Sequence, residues 1–350
     1  MSARWLTGAA ALALSAPVLA QEATLEQLAD RFEYALVAGD GRVLPRAEGF
    51  RYTENGNALK IWDGMWRTLS AVSGTDPALY PRAEALDYRV EIVDGDEIVR
   101  LVETDENMVQ GVMVLRLKAD DGQLTEAEVL PVREEFSGAR GGTITLLQPS
   151  LPVTLDGAKV GAADPLFSGT VARPASRKQL ADIADAYFEA ILAGRVNKLR
   201  FAPDCLRRDN GQPVTNVVGA PLLDPAKPDF RPFALGCATQ IESGYYSHIR
   251  QVRGRRYFVD PARGLVLALA QMDQPGTVLS FATAGFGQID YPGPRGPVAT
   301  GGQQFEGRIL NNMISPLTIN GAWLFRIEDG AIRRIDAFYR GAPYGWQSGW

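Results

Sequence analysis

Apolar residues recur at helical spacing in two places along this chain of 350 residues. Leu25, Leu28, Phe32 and Leu36 form one such series, which stops at Ala38-Gly39. Leu180, Ile183, Tyr187 and Ile191 form the other, which stops at Ala193-Gly194. A period near 3.6 predicts two amphipathic helices. Both open on Gln-Leu-Ala-Asp, at Gln27 and again at Gln179. Ser176 stands where an N-cap belongs, and each glycine fits a helix stop. Roughly thirty residues after each opening comes a polar turn with an acid-Asn-Gly core. It reads Tyr52-Thr53-Glu54-Asn55-Gly56 in the first half and Arg207-Arg208-Asp209-Asn210-Gly211 in the second. Both halves then run into alternating strands. Met113, Leu115 and Leu117 precede Asp120-Asp121-Gly122, and Trp323, Phe325 and Ile327 precede Glu328-Asp329-Gly330. Acid-Gly turns between alternating runs predict hairpins.

A helix followed by an antiparallel meander predicts an α+β layer with the helices on one sheet face. The recurrence supports duplication, with one domain at 21–147 and a second at 174–350. The Pro-, Gly- and Ser-containing segment 148–173 is the expected linker. Gly285 to Gly302 is expected to be a long loop near a pocket mouth or an interface.

Residues 1–20 have the three parts of a secretion signal. Arg4 gives a positive start, Trp5 to Leu19 is apolar, and Val18 and Ala20 are small residues at −3 and −1 of a cleavage site. The mature chain is expected to begin at Gln21 and to be exported, periplasmic or secreted. The apolar run is shorter than the roughly 18–20 residues that span a bilayer. No later stretch is apolar enough to cross one. The leader has no paired arginines and no Cys at the cleavage point, which argues against the twin-arginine route and a lipoprotein.

The formal charge of −5 argues against nucleic acid and anionic membrane surfaces as partners. The local run Arg253-Gly254-Arg255-Arg256 does not reverse that sign. Two cysteines, Cys205 and Cys237, form an even count. In an oxidising compartment this reads as a disulfide, the alternative being two buried thiols. One His and two distant Cys give no metal-ligand spacing.

The opening helix, the Tyr-Thr-Glu-Asn-Gly turn, the segment Lys60-Ile61-Trp62-Asp63-Gly64-Met65-Trp66 and the final meander resemble the SnoaL-like branch of the nuclear-transport-factor-2-like superfamily. The resemblance covers both halves and implies a tandem of two cone-shaped domains, each a curved antiparallel sheet wrapped around N-terminal helices. The segment from Cys237 to Leu269 and the closing Pro343 to Trp350 resemble secreted members of the superfamily without assigned activity. The resemblance implies a small organic molecule as partner, no cofactor, and an acid–base pair in an apolar pocket. Cones of this type often dimerise through their sheets. The tandem therefore implies a monomer with paired domains, or a homodimer. Fold alone does not fix function.

Several residues are candidates for that chemistry. His248 is the one histidine. In a strand it shares a face with Tyr246 and Arg250, and Asp260 on the next predicted strand, across a turn near Gly254, is its candidate partner. The alternative is a structural histidine. Arg255 and Arg256 point to opposite faces of a strand, and either is a candidate for holding a carboxylate or carbonyl. Glu54 and Asp209, with Asn55 and Asn210, either cap their turns or line a pocket rim. Trp62 and Trp66, four apart, form an aromatic wall if helical, in a pocket with Tyr52 or in the core. The C-terminal Tyr344, Trp346 and Trp350 pose the same choice, or dock on the other half. No nucleophile elbow, Walker loop or dinucleotide fingerprint is present. The expected function is small-molecule binding, with cofactor-free isomerase, dehydratase or lyase activity. His248 is then the base, Asp260 its orienting partner, and Arg255 or Arg256 the oxyanion stabiliser. The alternative is a non-catalytic binding or scaffold protein with its domains packed together.

Overall fold

The computed structural model describes residues 23–133, 165–220, 230–278, 280–290, 298–300, 303–305 and 316–349. The expected leader, most of the expected linker and Trp350 lie outside the described residues. The first half runs α1 (Leu25–Ala38), β1 (Arg46–Glu54), β2 (Asn57–Ala58), the one-turn α2 (Met65–Thr68), β3 (Leu69–Val72), β4 (Arg89–Asp94), β5 (Glu97–Glu106), β6 (Val109–Asp120) and β7 (Gln123–Arg133). A single turn, α3 (Pro165–Ser168), precedes the second half. This runs α4 (Arg177–Ala193), β8 (Phe201–Asp209), β9 (Gln212–Pro213), α5 (Cys237–Glu242), β10 (Gln251–Asp260), β11 (Leu265–Gln274), β12 (Ser280–Thr283), β13 (Gly287–Asp290), β14 (Val298–Thr300), β15 (Gln303–Phe305), β16 (Leu317–Glu328) and β17 (Ala331–Pro343).

The two long helices start and stop by the same devices. Thr24 and Gln27 form a reciprocal capping box before α1, and Ser176 and Gln179 form one before α4. Such a box satisfies backbone N–H groups that the first turn leaves unpaired. The repeated glutamine is therefore the third residue of each helix, which explains its recurrence. Both helices end on a left-handed glycine, Gly39 and Gly194.

The two large sheets share one pairing order. It is β2-β1-β7-β6-β5-β3 in the first, with β4 also on β5, and β9-β8-β17-β16-β11-β10 in the second. The fold is mixed α+β, as expected, but the sheets are not wholly antiparallel. β1 pairs β7 in parallel, and β8 pairs β17 in parallel. The first strand of each sheet returns beside the last, a non-local pairing that a local hydrophobic pattern does not encode. Of the Gly285–Gly302 segment, residues 291–297 and 301–302 lie outside the described residues, and Gly287–Asp290 is a strand rather than loop. β12 and β13 form a hairpin, and Phe281 and Ile289 pack with Phe230 and Val278.

Each sheet is covered on both faces. On one face, Met113, Leu115 and Leu117 meet Leu28, Phe32 and Leu36 of α1. Trp323, Phe325 and Ile327 likewise meet Leu180, Tyr187 and Ile191 of α4. The opposite faces meet each other. Leu101, Val112 and Val114 join Leu267, Leu324 and Phe338 in one buried cluster, with the Tyr88 and Phe338 rings 5.3 Å apart. Burial on both faces explains why the first part of β11 and the middle of β6 read as continuous apolar runs. Ion pairs border this seam: Arg177 Nη2 lies 2.7 Å from Asp94 Oδ2, and Arg256 Nη2 lies 2.7 Å from Glu97 Oε1.

Two further links tie the fold. Cys205 on β8 is disulfide-bonded to Cys237 at the start of α5. The C-terminal segment lies on the first half, where Trp346 Nε1 donates to Asn55 O at 3.0 Å and Arg51 Nη2 donates to Gly349 O at 2.8 Å. Among the described residues no helix is long and apolar enough to cross a membrane.

Candidate functional site

Strand alternation puts Arg207 and Asp209 of β8 on one face. Asp209 Oδ1 accepts from Arg207 Nε at 2.7 Å, and Oδ2 accepts from Arg207 Nη2 at 2.9 Å and from the Tyr339 hydroxyl at 2.9 Å. Arg207 Nη1 donates to the Tyr246 hydroxyl, which in turn donates to Gln240 Oε1 at 2.6 Å. The group is sealed from solvent. Burial pushes the Tyr246 and Tyr339 hydroxyls well above the usual tyrosine range, and Tyr187 beside them to about 12. The structure thus brings Asp209 and Tyr246 together, but around a guanidinium the sequence did not single out. Removing one partner of such a buried pair is costly, because it strands the other charge in a dry interior.

The expected His248–Asp260 pair does not form. Residues Tyr245–His248 are a 3-10 turn rather than a strand, closed by Ser247 N to Gly244 O and Ile249 N to Tyr246 O, both at 2.9 Å. His248 Nδ1 lies 2.9 Å from Tyr245 O. Burial lowers the imidazole pKa to about 4, so the ring is neutral at neutral pH. Asp260 sits at the far end of β10, about 30 Å of extended chain away. It accepts from Arg263 N at 3.0 Å and Arg263 Nε at 2.6 Å. The turn expected near Gly254 is absent because Gly254 is a bulge within the strand. Its φ is +62°, and a Cβ there would lie 2.6 Å from Gln271 Oε1.

Arg255 and Arg256 do face opposite ways, yet each holds a carboxylate of the protein itself. Arg255 Nη1 donates to Asp185 Oδ1 at 2.9 Å and Glu189 Oε1 at 2.6 Å on α4. Arg256 reaches across the seam to Glu97, with Glu128 Oε2 3.8 Å away. Neither fits the expected role of oxyanion stabiliser while so engaged.

In the first half Tyr52 and Glu54 share a face of β1. Glu54 Oε2 accepts from Met65 N at 2.8 Å and from the Tyr52 hydroxyl at 3.3 Å. Arg133 Nη2 lies 3.5 Å from Glu54 Oε1 and also holds Glu106. Gly64 is obligatory here, since its φ is +62° and a Cβ would fall 2.0 Å from Glu54 Oε2. Trp62 and Trp66 do not share a helix, because only Met65–Thr68 is helical and Trp62 has φ +100°. Trp66 is buried against Phe32 and Tyr52, while Trp62 is 40% exposed beside it. Asn55 and Asn210 both occupy left-handed turn positions.

The open space lies elsewhere. A groove of about 510 Å³ runs between the outer side of α1, β3, and the loop that follows β3. Tyr34 and Val37 of α1, Val72 of β3, and Leu79 and Tyr80 of the loop give it apolar walls. Glu33 and Arg89 stand at its floor: Arg89 Nη2 donates to Glu33 Oε2 at 2.9 Å, and Arg89 Nη1 donates to Ser73 O at 2.9 Å. Burial raises the Glu33 pKa, against the lowering effect of Arg100 and Arg89. The signal in the sequence was Glu33 itself, a carboxylate in the buried series Ala29, Phe32, Glu33 and Leu36 of α1. Among the described residues no three His, Cys, Asp or Glu side chains converge to hold a metal ion.

Residues 173–339 match a protein family described as "Domain of unknown function (DUF8021)". No curated protein matches the chain. Among solved structures, one described as a "putative polyketide cyclase" from Silicibacter sp. TM1040 is similar at 15% identity. The match covers 46% of this chain and 89% of that one, with a TM-score of 0.25.

Proposed function

We propose that this chain is an exported protein of two cone-shaped domains, 21–147 and 174–350, that binds a small organic molecule in the first-half groove. One observation carries the reading: a groove of about 510 Å³ with apolar walls and a polar floor formed by buried Glu33 and half-buried Arg89. That volume is within the range of small-molecule sites, and apolar walls with a few fixed polar groups are their usual make-up. The apolar seam between the sheets supports a monomer, since each sheet's outer face is already covered. The disulfide and the leader-like residues 1–20 support export.

The test is a melting-temperature screen of the mature protein against small organic molecules, repeated with Ala38→Trp. Ala38 is an exposed residue on the groove wall, so an indole there fills the space with little disturbance to the core. Ligands should raise the melting temperature of the parent by mass action and leave the variant unmoved. Equal shifts in both proteins would move the site out of the groove.

A further inference from the structure

We infer that residues 344–349 are a releasable latch, closed over a polar cavity between the two sheets. The latch is independent of the first-half groove. It leaves the second half at the end of β17 and lands on the β1–β2 turn of the first. One arginine of the second half keeps it in place. Arg253 is fixed on buried Asp273 by two bonds, Nε to Oδ2 at 2.7 Å and Nη2 to Oδ1 at 3.1 Å. The same guanidinium holds the segment: Nη2 donates to Trp346 O, and Nη1 donates to Gln347 Oε1 at 3.2 Å. Asp273 also accepts from Thr318 Oγ1 at 2.6 Å, and that hydroxyl oxygen accepts from Gly345 N at 2.9 Å. A buried carboxylate thus sets both groups that grip the root of the latch.

The landing place is shaped for close approach. Trp346 Nε1 donates to Asn55 O, and Arg51 Nη2 donates to Gly349 O. A Cβ at Gly349 would lie 2.7 Å from Thr53 Cγ2 and 2.9 Å from Gly56 O. A Cβ at Gly56 would lie 2.7 Å from Gln347 O. Glycine on both sides lets the two backbones touch.

Beneath the latch lies a cavity of about 20 Å³, with Ser348 of the segment in its wall. Asn55 and Glu128 line it from the first half, Gln271 and Asn320 from the second. Glu128 Oε2 and Asn55 Oδ1 are both buried and accept no hydrogen bond from the described residues. Arg256 Nη1 at 3.8 Å and Arg116 Nη1 at 4.0 Å offset the charge of Glu128 without coming within hydrogen-bond reach of that oxygen. Burial raises the Glu128 pKa against the lowering effect of both arginines. Solvent reaching the cavity would donate to both oxygens, so they favour the open state. The bonds of the latch favour the closed one. Opposed terms of this kind make a two-state element, held by a few bonds at one end of the chain.

The test labels the carboxylates of the full chain with a water-soluble carbodiimide and glycine ethyl ester, read residue by residue by mass spectrometry. The parent is compared with the double variant Trp346→Phe, Gly349→Ala. This variant loses the indole N–H and presses a methyl group against Thr53. Glu128 should be labelled about tenfold faster in the variant, since a lost bond and a new clash shift the opening equilibrium by that order. Glu103 is 2% exposed on β5, two strands from Glu128, and should be labelled equally slowly in both. Equal labelling of Glu128 in the two proteins overturns the latch. Parallel acceleration of Glu103 and Glu128 overturns it too, because the variant then loosens the whole half. A parent in which Glu128 reacts as fast as exposed Asp121 overturns the closure itself.

Discussion

Asn210 grips the main chain of Tyr339 from both sides. Its Oδ1 accepts from Tyr339 N at 2.9 Å, and its Nδ2 donates to Tyr339 O at 3.0 Å. The register aligns Asp209 with Ala337 and Glu54 with Val129, so the residue facing Asn55 in the first half is Pro131. Proline has no N–H to offer, and Asn55 Oδ1 is buried without a partner. Both asparagines sit at positive φ, so replacing either by alanine carries a similar left-handed cost. The difference between Asn210→Ala and Asn55→Ala then isolates the lost bonds to Tyr339. Asn210→Ala should be the more destabilising by about 1–3 kcal/mol, as read by urea denaturation.

The single histidine makes a clean pH probe. The His248 pKa falls from 6.5 to about 4 on folding because burial disfavours the charged ring. Below pH 6.5 the unfolded chain takes up a proton that the folded one refuses. Stability from this group is therefore whole above pH 6.5 and lost as pH falls toward 4, by about 3 kcal/mol in all. Proton NMR of the one imidazole should titrate near pH 4, and His248→Gln should flatten the stability curve between pH 4 and 6.5. An NMR inflection near 6.5 would contradict the burial.

The seam should behave as core. Phe338 is 1% exposed and packs on Tyr88 of the other half. Phe338→Ala should cost about 3–5 kcal/mol. Its denaturation should stay a single transition if the halves unfold together. Two separated transitions would show that the seam couples them weakly.

Reduction should loosen the second half. The Cys205–Cys237 bond closes a loop of 32 residues. In the chain-entropy model such a loop contributes about 3–4 kcal/mol. The Cys205→Ala, Cys237→Ala double variant should lose that amount, with faster amide exchange concentrated in α5 and β8.

Local features of the fold were legible in the sequence. The Ser176 cap, the glycine stops and the Asp-Gly hairpins are fixed by neighbours in the chain, and they stand where spacing put them. The parallel pairs β1–β7 and β8–β17 are not local, and no periodicity carries them. Gly254 illustrates how a local rule misleads. A glycine between arginines reads as a turn, but the contact with Gln271 on the next strand makes it a bulge. The second-half cluster was half legible. Asp209 and Tyr246 stood out by type, whereas Arg207 and Tyr339 acquire meaning only once β8 lies beside β17. His248 drew attention by rarity, which carries no information about distance to an acid. Glu33 was overlooked because the helix was read for its apolar face, and a carboxylate within that face is the departure that mattered.

The seam between the sheets also bears on how the two halves can change over generations. In a homodimer joined through one shared patch, every substitution appears on both sides, and a contact must be compatible with its own mirror copy. Here Arg256 of one half meets Glu97 of the other, with no reciprocal pair demanded. One polypeptide can thus place cations on one side and carboxylates on the other. Each half is free to drift away from its counterpart while their union holds at any dilution.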